Sequence, residues 1–165
     1  IAPAINDVII DNGASSFVPL SHYLNSNHVP SLLQELGHEL VIHTVITGSQ
    51  ALTDTLNGFS QLVTQFSQAT TFIVWLNPYW GAIESDGKSF EQMKAYTTHK
   101  NRVSAIIKMP TLKKETYGRD LADMLQERLT FDEAIANPVL TIMTRQRLTI
   151  IKKQLFEQMD NAVVL

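Results

Sequence analysis

Short apolar runs alternate along this chain with longer stretches of helical period. Runs rich in Val and Ile, each followed by a turn signal, predict strands at residues 7–11, 39–46, 71–76 and 104–109. The stretches between them predict helices at residues 17–25, 30–36, 49–66 and 89–101. Strands joined by crossover helices are typical of a mostly parallel sheet. The pattern therefore predicts an α/β fold, with a mostly parallel sheet flanked by helices.

The last third of the chain is helical by its pattern, in "KKETYGRDLADMLQERL", in "TFDEAIANP" and at residues 143–161. The final helix carries an apolar stripe and, toward its other side, basic residues: Leu148, Ile151, Leu155 and Met159 against Arg145, Lys152 and Lys153. A basic amphipathic helix can lie on a membrane or bind a partner. A terminal helix more often docks on its own sheet, and we favour that interpretation.

Composition narrows the class of protein. With 165 residues, 44% hydrophobic and 18% charged, the chain fits one soluble globular domain over residues 1–165. A net charge of -3 gives no global reason to bind nucleic acid, so no direct nucleic-acid binding is expected. The absence of cysteine excludes disulfides and thiolate chemistry. No run approaches the roughly 20 apolar residues of a membrane span, and a cytoplasmic location is the default expectation.

An acid ends the first predicted strand in "VIIDNGASSF". Asp, Asn and Gly are common turn residues, so Asp11 with Asn12 and Gly13 fits a simple turn after a strand. An acid at the carboxyl end of a parallel strand also fits a nucleotide-hydrolysing site, where it holds a magnesium shell or the attacking water. Both interpretations stay open on these residues alone.

A second candidate lies in "FIVWLNPYWG", where a predicted strand delivers Asn77 and Pro78 to the same edge of the sheet. A carboxamide there can pair with the edge of a purine ring. The aromatic residues Tyr79 and Trp80 either stack on a base or seal the sheet edge. A turn with packing aromatics is the competing interpretation.

Three further observations concern other kinds of site: a nucleophilic serine, a histidine metal site and a phosphate-binding loop. In "TGSQA", Ser49 follows a strand and opens a helix, but the second glycine of G-x-S-x-G is missing, so a helix N-cap is the favoured role. The five histidines are scattered, which makes a metal site built from them improbable. No G-x-x-x-x-G-K-[ST] occurs, so this chain lacks a loop that cradles phosphates.

Taken together, several segments resemble the TraL-type conjugal transfer proteins of bacterial plasmids, relatives of the ParA and MinD class of P-loop ATPases. The resemblance covers essentially the whole chain. It is carried by "VIIDNGASSFVPLSHYL", "IVWLNPYWG", "KSFEQMKAYTTHKNRVSAIIKMP", "ETYGRDLADMLQERLTFDEA" and "LTIMTRQRL". It implies the C-terminal two-thirds of a P-loop NTPase fold, with Ile1 an internal residue of a longer protein shortened by truncation or proteolysis.

The resemblance also implies roles for particular residues. Asp11 matches the catalytic and magnesium-linked acid that ends the switch II strand, although the class usually places a different residue than Asn12 after it. Asn77, with Pro78, matches the asparagine that meets adenine, and Pro110 matches the proline flanking the base. The parent protein would bind ATP with magnesium, hydrolyse it and switch between monomer and dimer, whereas this chain alone is expected to hold neither and to be inactive.

Two other functions compete with a nucleotide-binding fragment. A non-enzymatic α/β interaction module would bind transfer or partition proteins through its basic terminal helix and an exposed sheet edge. Loss of the first strand would expose an apolar edge, so self-association as a homodimer is expected. A hydrolase built on Ser49 is a third hypothesis, and it predicts ester turnover that is lost in Ser49→Ala.

Overall fold

The computed structural model describes residues 8–162. The centre of the molecule is a parallel sheet, and a small hairpin lies outside it. In chain order its strands are β1 (Leu40–Thr47), β2 (Thr70–Asn77), β3 (Glu84–Ser85), β4 (Lys88–Ser89) and β5 (Val103–Lys108). The sheet has the order β1-β2-β5 with every pair parallel, and β3 pairs with β4 in a separate antiparallel hairpin. Three predicted strands, the α/β class and the parallel pairing are thereby confirmed.

The predicted strand at residues 7–11 is wrong over the described positions, and residue 7 lies outside them. Residues 8–13 have no regular structure and pair with no strand of the described sheet. Val8, Ile9 and Ile10 are 74%, 94% and 72% exposed. Strand propensity in so short a run is realised only when a neighbouring strand supplies hydrogen bonds and cover. Asp11 therefore does not end a strand here.

Helices surround the sheet and extend beyond it. In chain order they are α1 (Ala14–Ser26), α2 (Val29–Glu35), α3 (Leu52–Gln65), α4 (Lys94–His99), α5 (Tyr117–Gln126), α6 (Phe131–Ala136) and α7 (Ile142–Asn161). The helices predicted at residues 17–25 and 30–36 are confirmed as α1 and α2. The predicted helix at 49–66 begins as a short 3-10 turn, Ser49–Ala51, and continues as α3.

One face of the sheet packs on α3 to form the larger core, which we call the sheet core. It consists of Ile46, Leu52, Phe59, Leu62, Val63, Phe66, Phe72, Val74, Leu76, Phe90 and Met93. The α3 members recur at helical spacing and the β2 members at every second position, so each element buries one apolar stripe or face. Phe59 is fully buried and meets Phe90 edge to face, with ring centroids 6.0 Å apart.

An arginine satisfies the end of α3. The guanidinium of Arg102 donates to the carbonyl oxygens of Val63, Phe66 and Ser67 at 3.1, 3.2 and 2.7 Å. The same group lies 5.4 Å from the centre of the Phe72 ring. Helix C-termini leave carbonyls without intrahelical donors, so Arg102 stabilises α3 and fixes it against β5.

The predicted helix at residues 89–101 is divided. Asp86 and Gly87 have φ values of +50° and +70°, as in a two-residue hairpin turn joining β3 to β4. A 3-10 turn at Phe90–Gln92, the short α4 and a second 3-10 turn at Lys100–Arg102 follow. The apolar spacing of this segment is helical, which explains the prediction. In the structure, Ser89 belongs to β4 of the hairpin, and extended backbone at Met93 separates the first 3-10 turn from α4.

The three C-terminal helices enclose a second core, which we call the helical core. Its buried members are Met124, Ala134, Leu148 and Ile151, with Leu155 among the partly buried residues packed on them. The predicted stripe is buried through Leu148, Ile151 and Leu155, but it packs mainly against α5 and α6. The predicted docking of this helix on the sheet holds only in part, through a smaller contact between α7 and β5. The carboxamide of Gln158 also accepts from the Lys108 N–H at 2.7 Å and donates to its carbonyl at 2.8 Å, which ties α7 to β5.

Two pairs of polar side chains stabilise this helical unit. The buried carboxylate of Asp120 accepts hydrogen bonds from Arg147 and, at 3.4 Å, from Thr144. The ion pair with Asp120 raises the pKa of Arg147. Thr130 and Glu133 form a reciprocal cap at the start of α6. The backbone N–H and the hydroxyl of Thr130 donate to the Glu133 carboxylate, and these hydrogen bonds lower the pKa of Glu133.

Candidate functional site at the carboxyl edge of the sheet

Three loops meet where the parallel strands end. Thr47 lies beside Asn77 in register, and Leu76 lies beside Lys108. The Met109 N–H donates to the Leu76 carbonyl at 2.9 Å, which continues the pairing one residue past β5. In open α/β sheets the loops at this edge are the usual place for a ligand. This edge is therefore the candidate site.

Asn77 is held by its own loop. Its side-chain oxygen accepts from the Tyr79 N–H at 3.0 Å, which caps the 3-10 turn Pro78–Trp80. This bond uses one of the two lone pairs of the carboxamide oxygen. The second lone pair and the two N–H donors remain for a base, and together they suit the donor and acceptor edge of a purine.

The loops after β1 and β2 interlock through their backbones. The Ser49 hydroxyl donates to the Trp80 carbonyl at 2.5 Å, and Ser49 has a φ of +58°. A Cβ atom added to Gly48 would lie 2.3 Å from the Gly81 oxygen, so glycine is required by the close approach. Gly81 has a φ of +140°, and a Cβ there would lie 2.5 Å from the Ser49 hydroxyl oxygen. The two loops are fixed as one rigid unit.

The predicted N-cap role of Ser49 is wrong. Gly48 occupies the N-cap position of the 3-10 turn, α3 itself follows Ala51, and neither has a side-chain cap. The Ser49 hydroxyl instead spans to the neighbouring loop. Its hydrogen bond partner is a carbonyl oxygen rather than a base, so this geometry gives no support to a nucleophilic serine.

Tyr79 and Trp80 do not seal the sheet. Their rings meet edge to face with centroids 4.8 Å apart, and they are 66% and 68% exposed. Aromatic residues that only packed the edge would be buried, as Phe59 and Phe72 are. The packing interpretation of the pair is therefore wrong.

The structure brings together some predicted site residues and not others. Asn77 and Pro78 end β2, and Pro110 lies two residues past the end of β5, so all three share the carboxyl edge. Asp11 lies in the exposed irregular segment that precedes α1, where Gly13 is the N-cap residue. Its catalytic and magnesium-binding roles stay predictions. Between residues 8 and 162, no group of three or more His, Asp or Glu side chains is arranged to hold a metal ion.

One polar pair near this edge was missed from the sequence. The indole N–H of Trp75 on β2 donates to Nδ1 of His43 on β1 at 2.9 Å. Burial lowers the pKa of His43 below its ordinary value. The two residues are 32 positions apart, and only knowledge of the strand register would have paired them.

The basic face of α7 is largely neutralised by its neighbours. Lys152 lies 2.5 Å from the Asp132 carboxylate, and Lys153 lies 3.7 Å from that of Glu157. Within the described part of the chain, no helix has the length and apolar character needed to cross a bilayer. The structure thus favours docking of α7 over a free basic surface.

The fold and the site define an α/β protein with polar and aromatic loops at the carboxyl edge of a three-stranded parallel sheet. No family model matches the chain, and no solved structure does. Two proteins from Escherichia coli, both called "Protein TraL", align with all 165 residues at 71% and 70% identity, and the alignment covers 68% of each. The chain belongs to the TraL family.

Proposed function

We propose that this chain forms the base-binding side of a nucleotide site in a ParA/MinD-like protein of plasmid conjugal transfer. Membership of the TraL family supports the role in conjugal transfer. The observation that carries the nucleotide site is the shared sheet edge, where Asn77 ends the central strand and Pro110 follows its neighbour. The resemblance to the ParA and MinD class assigns these two positions to adenine.

The residues present fit the base better than the phosphates. A triphosphate with magnesium needs backbone N–H groups, a lysine and a hydroxyl in a phosphate loop, and "G-x-x-x-x-G-K-[ST]" does not occur in this sequence. The lone carboxylate of Asp11 is not part of a metal cluster among residues 8–162. We therefore assign magnesium, the phosphates and hydrolysis to a family-length protein, in the cytoplasm, and no turnover to this chain alone.

Phosphate release from ATP with magnesium tests this function. A family-length protein containing this segment should hydrolyse ATP, and its Asp11→Asn variant should lose most of the turnover. Asp54→Asn, which alters an exposed acid in the first turn of α3, is the matched control and should keep it.

Two results would contradict the proposal in different ways. Magnesium-dependent turnover by the 165-residue chain, lost in its Asp11→Asn variant, would show that the site is complete without a phosphate loop. A family-length protein that is folded and inert would remove the ATPase assignment and favour the interaction module.

A specific observation favours that second function. β1 is one of the two terminal strands of the described sheet, and its Val45 is 48% exposed. Val8, Ile9 and Ile10 add three adjacent exposed apolar side chains. Unpaired strand edges and apolar patches are typical contact surfaces.

On this second function the chain binds a transfer or partition protein, or its own copy, without chemistry. Sedimentation equilibrium should then show a homodimer that Ile9→Lys weakens. A monomer at high concentration would overturn self-association.

A further inference from the structure

The loop that carries Asn77 combines a rigid backbone with exposed aromatic rings. Its main chain is fixed by the Asn77 cap, by the Ser49 hydroxyl on the Trp80 carbonyl and by the close packing of Gly48 on Gly81. Its two aromatic side chains nevertheless leave about two-thirds of their surface in solvent, at 66% and 68%. Rigidity of this kind contributes nothing to burial of the rings.

Backbone strain in the neighbouring loop after β1 also supports a ligand site. Ser49 is a non-glycine residue at a φ of +58°, a conformation that costs of order 1 kcal/mol or more. The strained residue is the one whose hydroxyl holds the Trp80 carbonyl. Residues in such conformations cluster at active sites and ligand clamps. In the described part of the chain, His28, Asp86 and Arg128 share this conformation and lie in turns between elements.

The rings lie on the same edge of the sheet as Asn77 and Pro110. Trp80 lies in the same 3-10 turn that Asn77 caps, on the carboxyl edge shared with Pro110. The edge-to-face contact with Tyr79 orders the indole without covering it. Flat, neutral aromatic surfaces stack on nucleobases of every type, since each base has a π-face.

We propose that Trp80 is the stacking surface for the nucleobase and that Ser49 is the positioning residue that holds it in place. The inference rests on the proposed nucleotide function. Trp80 and Asn77 then have different roles in binding the base. Stacking on Trp80 supplies affinity for any base, whereas the carboxamide of Asn77, which can both donate and accept, distinguishes adenine from guanine.

The test uses a family-length protein containing this segment and measures KM and kcat with ATP and with GTP. Trp80→Ala should raise KM for both nucleotides by roughly 5- to 150-fold, the range expected for loss of one stacked base, with kcat little changed. Trp80→Phe keeps an aromatic face and should restore most of the affinity. Asn77→Ala should instead reduce the preference for ATP over GTP.

Inhibition by tripolyphosphate separates stacking from a general structural effect. This probe has the phosphates and no base, so its inhibition constant should be unchanged in Trp80→Ala. Ser49→Gly removes the hydroxyl and relieves the positive φ, and it should raise KM through Trp80. The double variant with Trp80→Ala should therefore lose less than the sum of the two single effects.

Tyr23→Ala is the matched control, because Tyr23 is a 61% exposed aromatic on α1 and belongs to none of the loops that follow β1, β2 and β5. It should leave every constant unchanged. An unchanged KM in Trp80→Ala, or an equal loss of affinity for tripolyphosphate, overturns the stacking role while leaving the ATPase in place. Absence of turnover in the unsubstituted protein would instead overturn the nucleotide function.

Discussion

The sheet and the C-terminal helices both bury an apolar core, but they place their polar and aromatic groups differently. In the helical unit, Asp120 is paired with Arg147, and Thr130 with Glu133 caps α6. At the carboxyl edge of the sheet, the Ser49 hydroxyl of the loop after β1 holds the Trp80 carbonyl of the loop after β2, and the Trp80 ring is exposed. Groups satisfied inside the fold stabilise it, whereas a rigid loop that leaves polar and aromatic surface in solvent is suited to a ligand. This difference supports the proposed ligand site at the sheet edge.

The largest expected effects come from removing one large side chain from each core. Phe59→Ala should lower the free energy of unfolding by about 4 kcal/mol and Leu148→Ala by about 3 kcal/mol, because each leaves a cavity in a fully buried position. Leu125→Ala, at a 61% exposed position on α5, is the control and should have little effect.

Urea unfolding followed by two probes shows whether the cores are cooperative. Both tryptophans of the sequence, Trp75 and Trp80, belong to the sheet region, so fluorescence reports on that region and circular dichroism on all helices. We expect coincident transitions in both variants. In Leu148→Ala, a circular dichroism transition at lower urea than the fluorescence transition would show that the helical unit unfolds by itself.

A pair of glycine substitutions isolates the locked loops at the sheet edge. Gly48→Ala forces a methyl group against the Gly81 carbonyl and should destabilise the protein by about 1–3 kcal/mol. Gly58 lies within α3 with open space around it, so Gly58→Ala should stabilise by about 0.5–1 kcal/mol. Thermal unfolding of the two variants measures the difference. Equal stability in both would mean that the two loops are not in the tight contact described here.

The smallest expected effect is a pH dependence at the β1–β2 pair. Because burial lowers the folded-state pKa of His43 below 6.5, the unfolded chain binds the proton more readily. The contribution of neutral His43 to stability is therefore complete above pH 6.5, and it is lost as the pH falls through the lowered folded-state pKa. Protonation also removes the Nδ1 acceptor of the Trp75 N–H. Since His43 is partly exposed, we expect less than about 1 kcal/mol.

The measurement is the urea midpoint at about pH 7.5 and about pH 5, in the unsubstituted protein and in His43→Asn, which keeps an acceptor and does not titrate. The loss of stability at low pH should be smaller in the variant. An identical loss in both proteins would show that other groups control the pH dependence.

The sequence predicted the elements whose burial is local and periodic. Strands at 39–46, 71–76 and 104–109 followed from Val- and Ile-rich runs, and the stripe through Leu148 and Ile151 predicted which face of α7 is buried. Parallel pairing predicted the edge to which β2 delivers Asn77 and Pro78, whereas Pro110 was assigned to the site by the resemblance. These predictions succeeded because strand and helix periods are written in neighbouring residues.

Tertiary contacts decided the rest. The run at residues 8–10 is as apolar as a strand, but a strand needs a hydrogen-bonded neighbour, and it has none in the described sheet. The roles of Ser49, bonded across 31 positions to Trp80, and of His43, bonded across 32 to Trp75, depend on which loops and strands the sheet places side by side. The sequence by itself determined the α/β class and the edge where the strands end. Only the packed structure showed that the turn at this edge is rigid and its aromatic rings exposed, because both depend on atoms distant in the chain.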